Sequence, residues 1–195
     1  MLYSIISTYF GAVMGDEIIA MIFSILGMLV NIISFQVKNK RPLLLLQSLG
    51  NVLFLISFIF NASGIAVILN VIYLARNFTY IYYDNSLTEK KNKIFSITFC
   101  AAFLLSYAIY TAFAGLSLTQ NLFNFLPVAA SLFGTVATAC NDVNRYRAWK
   151  FGDSYCWLFF NASFGLGSLG GIVGEIFNQI SLTVGIIRYK KKSSQ

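Results

Sequence analysis

Apolar residues dominate seven stretches of this chain, and short polar segments separate them. A helix needs about 20 predominantly apolar residues to cross a bilayer, and most of the stretches come close to that length. The pattern therefore predicts seven transmembrane helices, of which the sixth is short. The predicted spans cover residues 17–35, 43–60, 65–83, 94–113, 122–140, 154–166 and 169–188.

The amino-terminal segment, residues 1–16, does not fit this series. It is mostly apolar, yet it is too short to span a membrane. It also lacks the basic n-region of a secretory signal peptide, so we do not expect its cleavage. We predict an extracytoplasmic interfacial or re-entrant segment, and an extension of the first span is the alternative.

Basic residues mark every second connection between the predicted spans. Of the 14 Lys and Arg residues, all but Arg76 lie in clusters that follow the first, third, fifth and seventh spans. The positive-inside rule places such clusters in the cytoplasm. We therefore expect an external amino terminus and a cytoplasmic basic tail at residues 189–195. The clusters are Lys38, Lys40 and Arg41; Lys90, Lys91 and Lys93; Arg145, Arg147 and Lys150; and Arg188, Lys190, Lys191 and Lys192.

Composition supports a membrane protein and argues against other classes. Hydrophobic residues make up 57% of the chain and charged residues 11%, whereas soluble domains average about 25% charged residues. The net charge of +7 is divided among the clusters, so we expect the lipid bilayer and no nucleic acid as a partner. The chain has no His, and its three Cys lack ligand spacing. We therefore expect no metal, no cofactor and, without a nucleophile–base pair, no enzyme.

The two halves of the chain share short sequence similarities at a spacing of roughly a hundred residues. VKNKR at 37–41 parallels VNRYR at 143–147, NASG at 61–64 recurs within NASFG at 161–165, and IYY at 81–83 parallels IRY at 187–189. The matches occur in the same order. They predict an all-α fold of two parallel three-helix repeats, residues 17–83 and 122–188, joined by a connector helix at residues 94–113.

Several motifs of both halves resemble a known family. They are ILN at 68–70, LPV at 126–128, Thr135, the basic segment around Arg145, Trp157 with Asn161, GSLGG at 167–171, Glu175 and IIR at 186–188. In these residues the chain resembles the YgjV family of bacterial inner-membrane proteins, which is similar to the SWEET, PQ-loop and PnuC transporters.

The resemblance implies a SWEET-like fold in the bacterial plasma membrane and, from the habit of those transporters, a homo-oligomer. It also implies a substrate site near the midplane between the repeats. Pro127 corresponds to the proline hinge of PQ-loop proteins and is our candidate hinge. The first repeat has no counterpart to this proline, so a symmetric proline-hinged gate is not expected.

Two charged residues lie inside predicted spans, away from the span ends. Glu175 precedes Arg188 by 13 residues, or about 20 Å along a helix, and a carboxylate there costs roughly 2.5–3.5 kcal/mol on insertion scales. It is a proton or substrate site, or else a structural carboxyl bonded to a neighbouring helix. Arg76 lies closer to its helix end, so it either snorkels to the headgroups or binds an anionic substrate or Glu175.

The other candidate site residues are amides and one aromatic residue. Gln47 and Asn51 lie one turn apart on the second span, which puts them on one helix face. The remaining candidates are Asn70, Trp157, Asn161 and Asn178. For each amide the structural alternative is hydrogen bonding between helices, and for Trp157 it is anchoring at the membrane interface.

These observations predict a small-molecule transporter or facilitator that works by alternating access between two three-helix bundles. The alternative is a non-transporting accessory or scaffold protein, whose polar residues only hold helices together. Convergence of Glu175, Asn70, Arg76 and Asn161 on one cavity would favour transport, and dispersal among helix contacts would favour a scaffold.

Overall fold

The structure is a computed structural model that describes residues 2–83, 87–162 and 169–190, with side chains from residue 15 to residue 188. In this part of the chain the secondary structure is α-helical. The carboxyl-terminal tail from residue 191, most of the second NASFG corner and the first residues of GSLGG lie outside the described residues. The helices are α1 (Leu2–Ser34), α2 (Lys40–Phe60), α3 (Gly64–Tyr83), α4 (Glu89–Ala114), α5 (Leu118–Ala139), α6 (Val143–Ala162) and α7 (Leu169–Lys190).

Helix ends lie where capping groups are available rather than where apolar residues stop. The Thr88 hydroxyl accepts a hydrogen bond from the Lys91 backbone N–H, so α4 begins before the apolar stretch. Ser117 and Gln120 form a capping box that starts α5. Helix α1 includes residues 2–16 without a break. This is the arrangement of our alternative prediction, in which the amino-terminal segment extends the first span.

Helix α6 departs most from the sequence-based prediction. It begins at Val143, eleven residues before the predicted start of the sixth span. The Asp142 carboxylate accepts a hydrogen bond from the Arg145 backbone N–H at 2.7 Å and so starts the helix. The basic segment that we predicted as a connection therefore forms the first turns of α6, and Arg147 is buried there.

Six of the helices form a ring, and α4 lies outside it. Helix α1 packs on α2, α2 on α3, α3 on α5, α5 on α6, α6 on α7, and α7 returns to α1. Helix α4 contacts α3 and α5, and Phe103 is its buried residue. The predicted connector helix lies within α4, which is peripheral. That the two halves on either side of it are structural repeats stays a prediction.

Five helices are long and apolar enough to cross a membrane, namely α1 from Gly15 together with α2 to α5. Helices α6 and α7 have similar lengths, 20 and 22 residues, but carry more polar side chains. Because both belong to the ring, many of these polar groups face other helices. The basic clusters lie at the end of the molecule where α2, α4 and α6 begin. We call it the basic end.

Candidate functional site

A cavity lies inside the ring, bordered by α1, α2, α3, α6 and α7. We call it the central cavity. The space that it leaves for water-sized molecules is about 60 Å³, and one water needs roughly 10–15 Å³ of such space. The central cavity therefore has room for several waters or one small solute.

Seven of the eight residues that sequence analysis selected line the central cavity. They come from four helices and are mostly amides, which can donate and accept hydrogen bonds. The structure brings these residues together across more than a hundred positions of sequence. They are Gln47, Asn51, Asn70, Trp157, Asn161, Glu175 and Asn178.

Glu175 is held by two hydrogen bonds at the wall of the central cavity. Its Oε2 atom accepts from the Ser154 hydroxyl of α6 at 2.6 Å and from the Asn178 side-chain amide at 3.3 Å. Both donors are neutral, and both residues are buried. The carboxylate thus forms no ion pair with the Lys and Arg side chains of the described residues.

A second acidic residue, Asp153, also lines the central cavity and was not among the predicted site residues. Its carboxylate forms an ion pair with Lys150 one turn earlier on α6. It also accepts a hydrogen bond from the Tyr73 hydroxyl of α3 at 3.0 Å. Asp153 was missed because the predicted sixth span began after it; at ten residues into α6 it lies about 15 Å from the helix start.

Arg76 does not line the central cavity, and a substrate-binding role for this residue stays a prediction. It is buried rather than extended to the headgroups, and it forms no ion pair with Glu175. Its guanidinium lies 4.1 Å from the centroid of the Tyr73 ring and donates to the Thr135 hydroxyl of α5 at 3.1 Å. Helix α5 approaches α3 closely at Gly134, where a Cβ atom would lie 2.6 Å from the Tyr73 hydroxyl. Because of this close approach, the side chain of Arg76 lies in the α3–α5 interface.

Two side-chain contacts join α2 to α6 near opposite ends of the central cavity. The Tyr146 hydroxyl donates a hydrogen bond to the Gln47 side chain near the basic end. At the opposite end, the rings of Phe58 and Trp157 stack with their centroids 5.6 Å apart. The two contacts are 11 residues apart along both helices, or about 16 Å. We call them the polar closure and the aromatic closure.

Pro127 lies within α5, which continues across it from Leu118 to Ala139. The proline is buried, and its carbonyl accepts a hydrogen bond from the Ser131 hydroxyl at 2.7 Å. It lies outside the lining of the central cavity. Its role as a hinge therefore stays a prediction.

Metal ligands are not grouped in the part of the chain that the structure describes, where no three His, Cys, Asp or Glu side chains come together. The three cysteines are free thiols. The chemistry of the central cavity is thus that of amides, hydroxyls, two carboxylates, one ammonium and aromatic rings.

Comparison with known proteins assigns the chain to a family. The model of the Imp-YgjV family, described as bacterial inner membrane protein, matches residues 18–193. No curated protein and no solved structure matches the chain. The match covers α1 from residue 18, the other six helices and every residue of the central cavity. The chain therefore belongs to the Imp-YgjV family of bacterial inner membrane proteins.

Proposed function

We propose that the protein is a small-molecule transporter or facilitator that works by alternating access, with the central cavity as its substrate site. One observation carries the proposal: seven predicted site residues from four helices line one polar cavity inside a ring of membrane helices. Polar and ionisable groups are costly within a bilayer and usually mark solute or ion pathways. A packing role alone does not require them to face a shared space.

The two closures suggest how access alternates. Both join α2 to α6, yet the backbones of these helices are not in close contact, so side chains alone bridge the gap. Breaking the aromatic closure would open the central cavity at one end, and breaking the polar closure would open it at the other. Alternating access requires that one closure holds while the other is broken.

We further propose that the basic end faces the cytoplasm. The clusters at the ends of α1, α3, α5 and α7 support this orientation through the positive-inside rule. The polar closure would then be the cytoplasmic gate of the central cavity, and the aromatic closure its external gate.

The scaffold alternative is favoured by a different set of contacts. Arg147 of α6 donates to the Phe35 carbonyl, and Gln36 donates to the Ser181 hydroxyl of α7; Phe35 and Gln36 lie directly after α1. These bonds hold helices together, as a non-transporting accessory protein requires. They lie outside the amide lining of the central cavity, which a scaffold leaves unexplained.

Accessibility from the two sides of the membrane distinguishes the proposals. We would place Asn51→Cys, which lies between the closures, in a variant whose native cysteines are replaced by Ala. Labelling with a membrane-impermeant methanethiosulfonate would be measured in right-side-out and inside-out vesicles. Leu49→Cys is the matched control because this residue is exposed on the outer face of the same helix.

A transporter labels Asn51→Cys from both sides and Leu49→Cys from neither. Adding Phe58→Ala should speed labelling from the external side, and adding Tyr146→Phe should speed it from the cytoplasmic side. A scaffold leaves Asn51→Cys unlabelled, or reachable from one side alone, and that result would refute alternating access.

A further inference from the structure

The charges that line the central cavity do not cancel. Lys150 and Asp153 neutralise each other as an ion pair, which leaves Glu175 as the remaining charged side chain of the lining. The groups that α1, α2 and α3 present to it are amides, aromatic rings and the Tyr73 hydroxyl. With both carboxylates ionised, the lining carries one net negative charge.

Unpaired acceptor atoms lie beside this charge. The side-chain amide N–H of Asn178 donates a hydrogen bond to Glu175. The Oδ1 atom of the same side chain is buried and has no hydrogen-bond partner. The side chain of Asn178 is 95% buried, since its exposed fraction is 5%. A buried acceptor without a donor is unfavourable, so this oxygen favours a donor or a cation from outside the chain.

A second unpaired oxygen, Oδ1 of Asn31, lies against α2, where a Cβ atom added at Gly50 would be 2.5 Å from it. Met28 of α1 packs against Gly174 of α7, and the Ser181 hydroxyl of α7 donates to the Ile32 carbonyl of α1 at 3.0 Å. These two contacts place Asn31 at the level of Asn178. Both residues line the central cavity.

We propose that Glu175 and Asn178 form a binding site for a monovalent cation in the central cavity, with Asn31 as a further polar residue of the lining. Carboxylate and amide oxygens are hard ligands that suit an alkali metal ion, and they also accept hydrogen bonds from a primary ammonium group. The charge of the cation would neutralise the lining, and the small volume of the central cavity restricts the site to a compact ion or headgroup. This inference deepens the proposed function, in which the cation is the coupling ion or the charged group of the substrate.

Thermal unfolding of the purified full-length protein in detergent tests this site. Lithium, sodium, potassium, methylammonium and ethanolammonium chlorides would each replace N-methylglucamine chloride at constant ionic strength. A cation that binds the folded state alone raises the unfolding temperature by mass action. At 100 times the dissociation constant, the expected increase is about 5–10 °C.

Variants assign the effect to the site. Glu175→Gln should abolish the increase, whereas Glu89→Gln, at an exposed acid in the first turn of α4, should preserve it. Asn178→Leu keeps the carboxylate and should weaken binding about tenfold or more, which provides a second test if Glu175→Gln does not fold. A response to metal ions identifies a coupling ion, and a response to the ammonium series alone identifies a substrate headgroup.

The site is refuted if no cation raises the unfolding temperature above the N-methylglucamine reference. It is also refuted if Glu175→Gln or Asn178→Leu responds as the wild type does. These outcomes are independent of the vesicle experiment. Cation binding without two-sided labelling of Asn51→Cys would refute transport and keep the site, and the reverse pattern would keep transport and refute the site.

Discussion

Replacement of Arg147 by lysine should destabilise the protein although the positive charge is kept. The Arg147 guanidinium is 1% exposed. Its Nη2 atom donates to the Phe35 and Val37 carbonyls at 3.0 Å each, and its Nε atom donates to the Phe35 carbonyl at 3.2 Å. These carbonyls lie just beyond α1, in the connection between α1 and α2. Arg147 thus bonds this connection to α6.

The size of the effect follows from the number of bonds that lysine cannot replace. A lysine ammonium lacks the planar fork of donors, so we expect it to keep one of the three bonds. Hydrogen bonds to charged groups contribute about 1.5–3 kcal/mol each, so losing two gives a decrease of at least about 3 kcal/mol in the free energy of unfolding. For a chain of this size that corresponds to about 6–12 °C in unfolding temperature.

Arg145→Lys is the matched control, because this arginine lies two residues earlier on α6 and is exposed. Its free energy of unfolding should change by less than about 0.5 kcal/mol. Both variants would be compared with the wild type by thermal unfolding in the same detergent. Equal unfolding temperatures for the two variants would show that the bonds of Arg147 to the α1–α2 connection do not stabilise the protein, and the account of α6 would be wrong.

Two further substitutions test the α3–α5 interface and the buried ion pair. Gly134→Ala should lower the unfolding temperature because its Cβ would meet the Tyr73 hydroxyl at 2.6 Å; Gly15→Ala, with open space around its Cβ, should leave it unchanged or raise it. An unchanged unfolding temperature for Gly134→Ala would contradict the close approach of α3 and α5. For the ion pair, Asp153→Asn should lower the unfolding temperature more than Asp153→Asn combined with Lys150→Met does, because the single change leaves the mostly buried Lys150 cation unpaired. Thermal unfolding measures the stability of all four variants. If the double variant is less stable than Asp153→Asn alone, by the loss expected for Lys150→Met, the ion pair is contradicted.

Sequence reasoning identified the helices where length and hydropathy decide. Helices α2 to α5 and α7 extend at most a few residues beyond the predicted spans, because about 20 apolar residues have few alternatives in a membrane protein. Their exact starts depend on capping groups such as Thr88 and Ser117, which hydropathy does not detect.

Helix α6 was mispredicted for a physical reason. Hydropathy treats Arg147, Lys150 and Asp153 as solvated, but each has a partner in the fold. Arg147 bonds carbonyls directly after α1, and Asp153 bonds Tyr73 of α3, in each case about 80 to 110 residues away. A single sequence does not reveal such pairings. Lys150 and Asp153, one helical turn apart, were the available signal for a polar interior on α6.

The candidate site was predicted better than its surroundings. Gln47 and Asn51 share one face of α2 by helical periodicity, and Glu175 was conspicuous because acids are rare in spans. Arg76 was equally conspicuous, yet its side chain lies between α3 and α5. The rotation of α3 about its axis decides that placement, and it depends on the close approach of Gly134, which periodicity does not determine.

The distances between α2 and α6 at the two ends of the central cavity test alternating access most directly. Spin labels at Ile59 and Phe159 report on the aromatic closure, and labels at Leu45 and Trp149 report on the polar closure; all four residues are exposed. Double electron–electron resonance in liposomes should give two distances for each pair, with Phe58→Ala shifting the first pair to its longer distance and the second to its shorter one. A single unchanged distance for both pairs would contradict the account.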